Sequence, residues 1–366
     1  MNIAIVGAGF SGSVIAYKLA RLGHRITVFE SRSHVAGNCY TGRDTETGIM
    51  LHTYGPHIFH TNEDYIWKFV NSFDEFMPFI NRVKAIASNQ VYSMPINLHT
   101  INQFFGKTFS PKEAKLFIEK QAKKYIAEPI SFEEQALYFV GQEIYDAFFK
   151  GYTLKQWGIH PSKLPANILK RLPLRFNYND NYFDHKYQGI PRHGYTKIIE
   201  KMLDHSNIEL RLNFYFNPKL KFDFDHVFYS GSLDKWFDCR YGNLQYRTLD
   251  FEVCRTDGDY QGNAVINYCD ENIPYTRITE HKHFTLWETH EKTLYYKEYS
   301  RNCEENDIPY YPVNLVTGMN SLEKYKQLIE HEKNVTFLGR LGTFRYLDMD
   351  VTIKEALEIA EKFSKN

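Results

Sequence analysis

The chain has no excess of charge. Its 44 lysines and arginines balance 44 aspartates and glutamates, so no global field draws it toward nucleic acid or an anionic membrane. An anionic ligand must therefore be held by locally placed cations. Cysteine is scarce: Cys39, Cys239, Cys254, Cys269 and Cys303 are odd in number and include no CxxC spacing. That argues against a disulfide framework or a zinc knuckle and suits a reducing compartment. No apolar run approaches the length of a membrane span, and the opening MNIAIVGAGF carries neither a basic stretch nor a cleavage site. Both absences predict a cytoplasmic chain with no membrane contact. Repeats, low-complexity tracts and polar linkers are also missing, as expected of folded domains throughout.

Aromatic residues are plentiful, at 16% of 366 residues. Part of that surplus must fill cores, and the rest can form flat walls for a nucleobase or an isoalloxazine ring. A chain of this length is expected to divide into two or three domains.

The apolar run Asn2–Val6 ends in Gly7-Ala-Gly9-Phe-Ser-Gly12, and an amphipathic stretch and a second strand, Arg25–Phe29, follow, ending at Glu30. This strand–turn–helix–strand order is the context that gives a GxGxxG motif its meaning. Gly7 permits the tight turn, Gly9 lets backbone approach a pyrophosphate, and Gly12 lets the helix pack close to the strand. Glu30 is placed to accept hydrogen bonds from the ribose of an adenosine.

Farther on, Ser110-Pro-Lys-Glu113 and Ser131-Phe-Glu-Glu134 carry capping-box patterns. They predict one helix to about residue 125 and another that stops at Gly151. A third short helix is expected over 166–172, and alternating Tyr, Phe, Val and Thr over 241–311 predict antiparallel strands,. The end of the chain supplies a strand at 335–338, a Gly339-Arg340 turn and a helix over 351–363. The expected fold is α/β. A Rossmann-type FAD-binding domain is drawn from residues 1–80, 205–240 and 312–366, with a helical lobe at 97–172 inserted. Residues 81–96, 173–204 and 241–311 form an antiparallel sheet and substrate lobe.

The glycine loop alone does not separate FAD from NAD. Ser31-Arg32-Ser33-His34-Val35-Ala36-Gly37-Asn38 resembles the segment after the ribose acid in FAD oxidases, and Gly339-Arg340 with its helix resembles their second flavin contact. FAD is the cofactor expected.

Several segments together resemble the bacterial UDP-galactopyranose mutases: Gly55-Pro-His-Ile-Phe-His-Thr61, Gly151-Tyr-Thr-Leu-Lys-Gln-Trp-Gly158, Asn181-Tyr-Phe183 and Tyr187-Gln-Gly-Ile-Pro191. Gln261-Gly-Asn-Ala-Val-Ile-Asn267, Pro274-Tyr-Thr-Arg277, Glu298-Tyr299 and Pro309-Tyr-Tyr-Pro-Val-Asn314 continue the match in order. Ala36 departs from it, standing where many members have a second glycine. The resemblance implies interconversion of UDP-galactopyranose and UDP-galactofuranose, with N5 of reduced FAD attacking the anomeric carbon as UDP leaves. It also implies a homodimer, a cellular flavin reductant and a role in galactofuranose-containing surface glycans.

By that resemblance Arg171 and Arg277 clamp the diphosphate, for which the planar guanidinium fork is suited. Tyr182, Tyr311 and Tyr346 would donate to the same phosphates, and Trp157 would pack near the sugar. Asn81, Thr153 and Asn267 would contact the nucleotide sugar, with Arg247 a weaker candidate facing the flavin. Ser11, Glu30, Asn38, His57, Arg340, Asp348 and Met349 join the glycines around FAD. Since neither clamp arginine is assigned to cofactor or core, alanine at either is expected to spare stability. His57, His60, His281 and His283 read as structural histidines, and no metal is expected. The competing reading is an FAD oxidoreductase of amine-oxidase type, which has no diphosphate to clamp.

Overall fold

The computed structural model describes residues 1–126, 128–171, 174–313 and 320–365, with the side chains of 170, 171 and 320 outside that description. A five-stranded parallel sheet lies at the nucleotide end, in the order Ile208–Arg211, Arg25–Phe29, Asn2–Val6, His226–Tyr229, Val335–Phe337. Its three inner strands are covered by other elements, which explains their largely apolar character, while the edge strand Ile208–Arg211 is mostly exposed,. Ile3, Ile5, Ile26 and Val28 are all fully buried, each contributing about 1.5–3 kcal/mol. Helices Phe10–Ala20, Tyr195–Leu203 and Met349–Ser364 supply side chains to the same core.

A seven-stranded sheet runs Tyr311–Pro312, Tyr246–Asp257, Lys292–Asn302, Arg277–Glu280, Val265–Tyr268, Val83–Ala87, Gln90–Met94. It is antiparallel except where Val265–Tyr268 pairs with Val83–Ala87. Helices Leu98–Phe105, Pro111–Gln121 and Phe132–Ile144 pack beside it around a second core that includes Ile101, Ile118 and Ala136. The architecture is the mixed α/β fold expected.

Both capping boxes form: the Ser110 and Ser131 hydroxyls accept the backbone N–H of Glu113 and Glu134, whose carboxylates reach back to the cap. Helix ends differ from expectation in an instructive way. Gly151 does not stop its helix; a π turn at Tyr145–Lys150 passes into Gly151–Trp157. A Cβ on Gly151 would sit 2.3 Å from the Cys269 carbonyl oxygen, so that glycine serves close approach to the sheet rather than termination. The break falls earlier, at Gly141, with φ +78°. The expected Gly339-Arg340 turn is a short helix, Gly339–Gly342, and the last helix begins at Met349.

Candidate active site

The carboxyl ends of Asn2–Val6 and Arg25–Phe29 open on a cleft of about 650 Å³, lined by Gly7, Gly9, Ser11, Glu30, Arg32, Asn38, His57, Gly339, Arg340 and Met349 among others. The three motif glycines do different work. At Gly7 φ is +102° and a Cβ would lie 2.2 Å from the Ser230 hydroxyl oxygen. At Gly12 it would lie 2.0 Å from the Gly7 carbonyl oxygen, which explains the close contact of helix and strand. At Gly9 a Cβ would meet nothing nearer than the Gly37 Cα at 4.0 Å. The protein's own packing therefore does not demand glycine there; the space above the backbone is open to a ligand,.

The helix Phe10–Ala20 begins at Gly9 with no side-chain cap and no acidic residue in its first turn. Its N–H groups are available to an anion. Glu30, which is buried, accepts the Ala8 and Arg32 backbone N–H groups, each at 2.9 Å, and the Ser31 hydroxyl at 3.3 Å. Arg32, in the segment that resembles FAD oxidases, lies 4.6 Å over the Tyr54 ring and donates to Asn38 Oδ1 at 2.8 Å. Its Nη1 is buried with no hydrogen-bond partner among the described residues. An open helix terminus, a glycine that packing does not explain and an unsatisfied guanidinium nitrogen fit the diphosphate of a dinucleotide such as FAD.

Arg340 closes the other end. It donates to the carbonyls of Tyr310 at 3.2 Å and Leu347 at 2.7 Å, and its guanidinium lies 4.7 Å from the Tyr346 ring centroid. Asp348 is the N-cap of Met349–Ser364, and Met349 and Thr352 from its first turn line the cleft. His57 is held near pKa 4, first by burial and then by the charges of Arg340 and Arg277, so it stays neutral between two cations.

Arg277 stands in a row across the second sheet, with Asn267 and Glu298 as its neighbours in register. Its Nη2 is 2.8 Å from Glu298 Oε1. Burial works against its charge, and Glu298 together with Tyr152 and Tyr311 more than offsets it, holding the pKa well above the ordinary value. Burial also pushes up the hydroxyls of Tyr152 and Tyr311, the latter to about 12, and Arg277 opposes both shifts. Tyr311 stacks on Tyr346 at 5.7 Å between centroids and lies 6.4 Å from Trp157. Tyr182 donates its backbone N–H to the Asn81 carbonyl at 2.8 Å, and its phenol is close enough to Tyr152 to influence its titration. Thr153 is buried beside Tyr152. Asn81 Oδ1, Asn267 Oδ1, Arg277 Nε and Glu298 Oε2 are buried and lack a hydrogen-bond partner among the described residues. Such unsatisfied atoms mark where a polar ligand would complete the site.

A chain of neighbours thus links Asn267, Arg277, Tyr152, Tyr182 and Asn81 on one hand and Arg277, Tyr311, Trp157, Tyr346 and Arg340 on the other. The Arg171 side chain lies outside the described residues. Arg247 differs from expectation. It is buried and donates to the carbonyls of Gln156 and Lys155, to Ser300 Oγ and to Asn302 Oδ1. Desolvation lowers its pKa to about 10. Those bonds bolt the end of Gly151–Trp157 to the sheet. Glu298 and Tyr152 were missed; both lie inside quoted motifs, but nothing in the sequence says which carboxylate faces Arg277.

His283 lies near Asp259 and Glu280. The Glu280 carboxylate already accepts the backbone N–H groups of Tyr260, Gln261 and Gly262 and the Thr293 hydroxyl, while Lys282 pairs with Asp259. The two carboxylates are thus already engaged by the fold, while His283 Nε2 is buried with no hydrogen-bond partner among the described residues. No described helix is long and apolar enough to cross a membrane.

Comparison with known proteins matches residues 147–346 to the family described as UDP-galactopyranose mutase and residues 5–73 to an NAD(P)-binding Rossmann-like domain. A Klebsiella pneumoniae protein described as a probable UDP-galactopyranose mutase is 59% identical over 99% of this chain and 94% of its own length. An Escherichia coli dTDP-fucopyranose mutase is 52% identical over 100% of this chain and 99% of its own. The crystal structure of a reduced UDP-galactopyranose mutase superposes with a TM-score of 0.78 at 14% identity, covering 100% of this chain and 94% of the other, which establishes likeness of fold. On the family match and the full-length relatives, the chain belongs to the UDP-galactopyranose mutase family.

Proposed function

We propose that the protein interconverts UDP-galactopyranose and UDP-galactofuranose with FAD in its reduced state. The observation that carries this reading is the half-buried Arg277 guanidinium, its Nε buried and unsatisfied, beside Tyr152 and Tyr311 and close enough to influence His57. Reduced FAD, when bound, supplies a nucleophilic N5 for the anomeric carbon. Gly7, Gly9 and the start of Phe10–Ala20 receive its diphosphate, Glu30 its ribose, and Arg340 with Met349 the flavin end.

The chain's own residues manage the leaving group. Arg277, with Arg171, binds the UDP diphosphate and stabilises the charge it gains as the sugar–oxygen bond breaks. Glu298 holds Arg277 in place, and its charge is offset by that partner. The phenol of Tyr311 remains protonated because burial pushes its pKa to about 12, so it can donate to a phosphate oxygen, with the Tyr182 phenol as a second donor. Trp157 and the Tyr311–Tyr346 stack exclude water from the opened sugar. Retaining UDP is what lets it return to the contracted ring. The same reading carries a homodimer in the cytoplasm, a cellular reductant and a supply of galactofuranose to surface glycans.

The test is incubation with UDP-galactofuranose, with and without dithionite, alongside dTDP-fucofuranose. Conversion of the UDP sugar that depends on reduction without consuming reductant is expected. Conversion of the dTDP sugar alone would replace the substrate, and oxidation of an amine with electron-acceptor turnover would replace the reaction. Arg171→Ala is expected to lower kcat/KM about a hundredfold; unchanged kcat/KM and UDP affinity would remove Arg171 from the clamp.

A further inference from the structure

The turn that carries His57 into the cleft is tied to the strand that carries Arg277 by two buried imidazoles. The His57 backbone N–H donates to His52 Nδ1 at 3.3 Å, and the His52 backbone N–H donates to His281 Nδ1, also at 3.3 Å. His281 directly follows the strand Arg277–Glu280. The turn has further anchors: Gly55 donates its N–H to the His52 carbonyl at 3.1 Å, and the Tyr195 hydroxyl donates to the His57 carbonyl at 3.0 Å. We propose that His52 and His281 are positioning residues, a two-ring hydrogen-bond relay that keeps the His57 turn in register with Arg277. The proposal rests on the FAD-dependent reading above.

An Nδ1 that accepts must keep its lone pair, so both rings must be neutral with the proton on Nε2. Their surroundings impose that state. His52 is 1% and His281 0% exposed. His52 lies against Tyr195 and Phe284, and His281 against Tyr296 and Phe284. Burial pushes both pKa values down, with His281 and His57 adding to the effect on His52. Each Nε2 is buried with no hydrogen-bond partner among the described residues. If these positions only filled space, phenylalanine would do so without leaving two buried N–H groups unsatisfied. What an imidazole adds here is an acceptor aimed at a backbone N–H. The relay runs from the Arg277 strand through His281 and His52 to His57, so it aligns the grip on diphosphate with the wall of the cofactor cleft.

The test compares His52→Phe and His281→Phe with His52→Asn and His281→Asn in the FAD holoenzyme. The Asn amide oxygen replaces the Nδ1 acceptor; Phe keeps a ring and loses the acceptor. The Phe variants are expected to lower kcat about tenfold with the UDP dissociation constant within about twofold, a size set by one lost buried hydrogen bond. They should also shift the visible flavin band and the midpoint potential. The Asn variants should recover most of each change. Phe holoenzymes with wild-type spectrum, potential and kcat would overturn the relay. So would Asn variants as altered as the Phe variants, which would make the rings packing elements. If the Phe variants fail to fold, the Asn pair decides: wild-type spectrum and potential support the relay, and altered ones reject it. Spectrum and potential are read without substrate. A protein inert toward UDP-galactofuranose that still shows the Phe shift and the Asn recovery therefore loses the substrate assignment and keeps the relay.

Discussion

Arg277 and Glu298 face each other across neighbouring antiparallel strands, Nη2 to Oε1 at 2.8 Å, with Glu298 only 1% exposed. A buried carboxylate with one cationic partner depends on that partner: remove the guanidinium and the charge is left in a dry site. The expectation that Arg277→Ala spares stability is therefore corrected. It should cost about 3–5 kcal/mol in stability and about a hundredfold in kcat/KM. Adding Glu298→Gln should recover most of the melting temperature and little of the activity. Thermal melts beside kcat/KM under dithionite check this; a double variant with restored activity would show that Arg277 acts only as a counter-ion.

The motif glycines separate cofactor binding from folding. Gly9→Ala should change apoprotein stability by less than about 0.5 kcal/mol, since its Cβ would meet nothing closer than 4.0 Å,, while weakening FAD retention. Gly12→Ala should cost about 3 kcal/mol because the added carbon would lie 2.0 Å from a backbone oxygen,. Apoprotein melting and FAD titration of both variants measure this, and equal stability losses would contradict it.

Arg247 offers a second contrast. Arg247→Ala removes the guanidinium from the Lys155 carbonyl and from Asn302 Oδ1, while the Gln156 carbonyl keeps the Ser300 hydroxyl; this should cost about 3 kcal/mol and leave UDP affinity nearly intact. A variant that melts like wild type and fails to bind UDP would return Arg247 to the substrate.

Four histidines make the protein sensitive to mild acid. Burial lowers His52, His57, His226 and His281, with His57 and His226 near 4 and His281 near 3. Below pH 6.5 the unfolded chain takes up protons that the folded chain refuses, so unfolding gains as pH falls toward 4. The loss is up to about 1.4 kcal/mol per pH unit for each ring. Melting temperature should fall steadily between pH 6.5 and 4; a flat profile would show that these rings titrate normally.

The sequence made the nucleotide end legible because its signals are local. Gly7, Gly12 and Glu30 sit within one strand–helix–strand unit, and Ser110 and Ser131 cap helices through contacts three residues away. Period and capping chemistry suffice for such elements. The second sheet was legible as texture but not as register. That Arg277 meets Glu298, or that His52 lies beside His281, depends on strand pairings between residues far apart in sequence. Gly151 misled because a glycine needed for contact with Cys269 looks the same as one that ends a helix. Arg247 misled because a guanidinium bonded to carbonyls is chemically the same group as one awaiting phosphate.

The parallel sheet has one more implication, for the order of synthesis. Asn2–Val6 lies between Arg25–Phe29 and His226–Tyr229, and Val335–Phe337 completes the edge. The glycine turn leaves the ribosome before the second sheet is made, and Arg340 and Met349 only after it. A nascent chain therefore holds a half-built cradle in the interval, with one edge of Asn2–Val6 unpaired until His226–Tyr229 emerges,. A dinucleotide lying in this cleft could meet both sets of contacts only once Arg340 and Met349 have folded back against the glycine turn. Capture of such a ligand would thus follow the folding of the second sheet rather than template it.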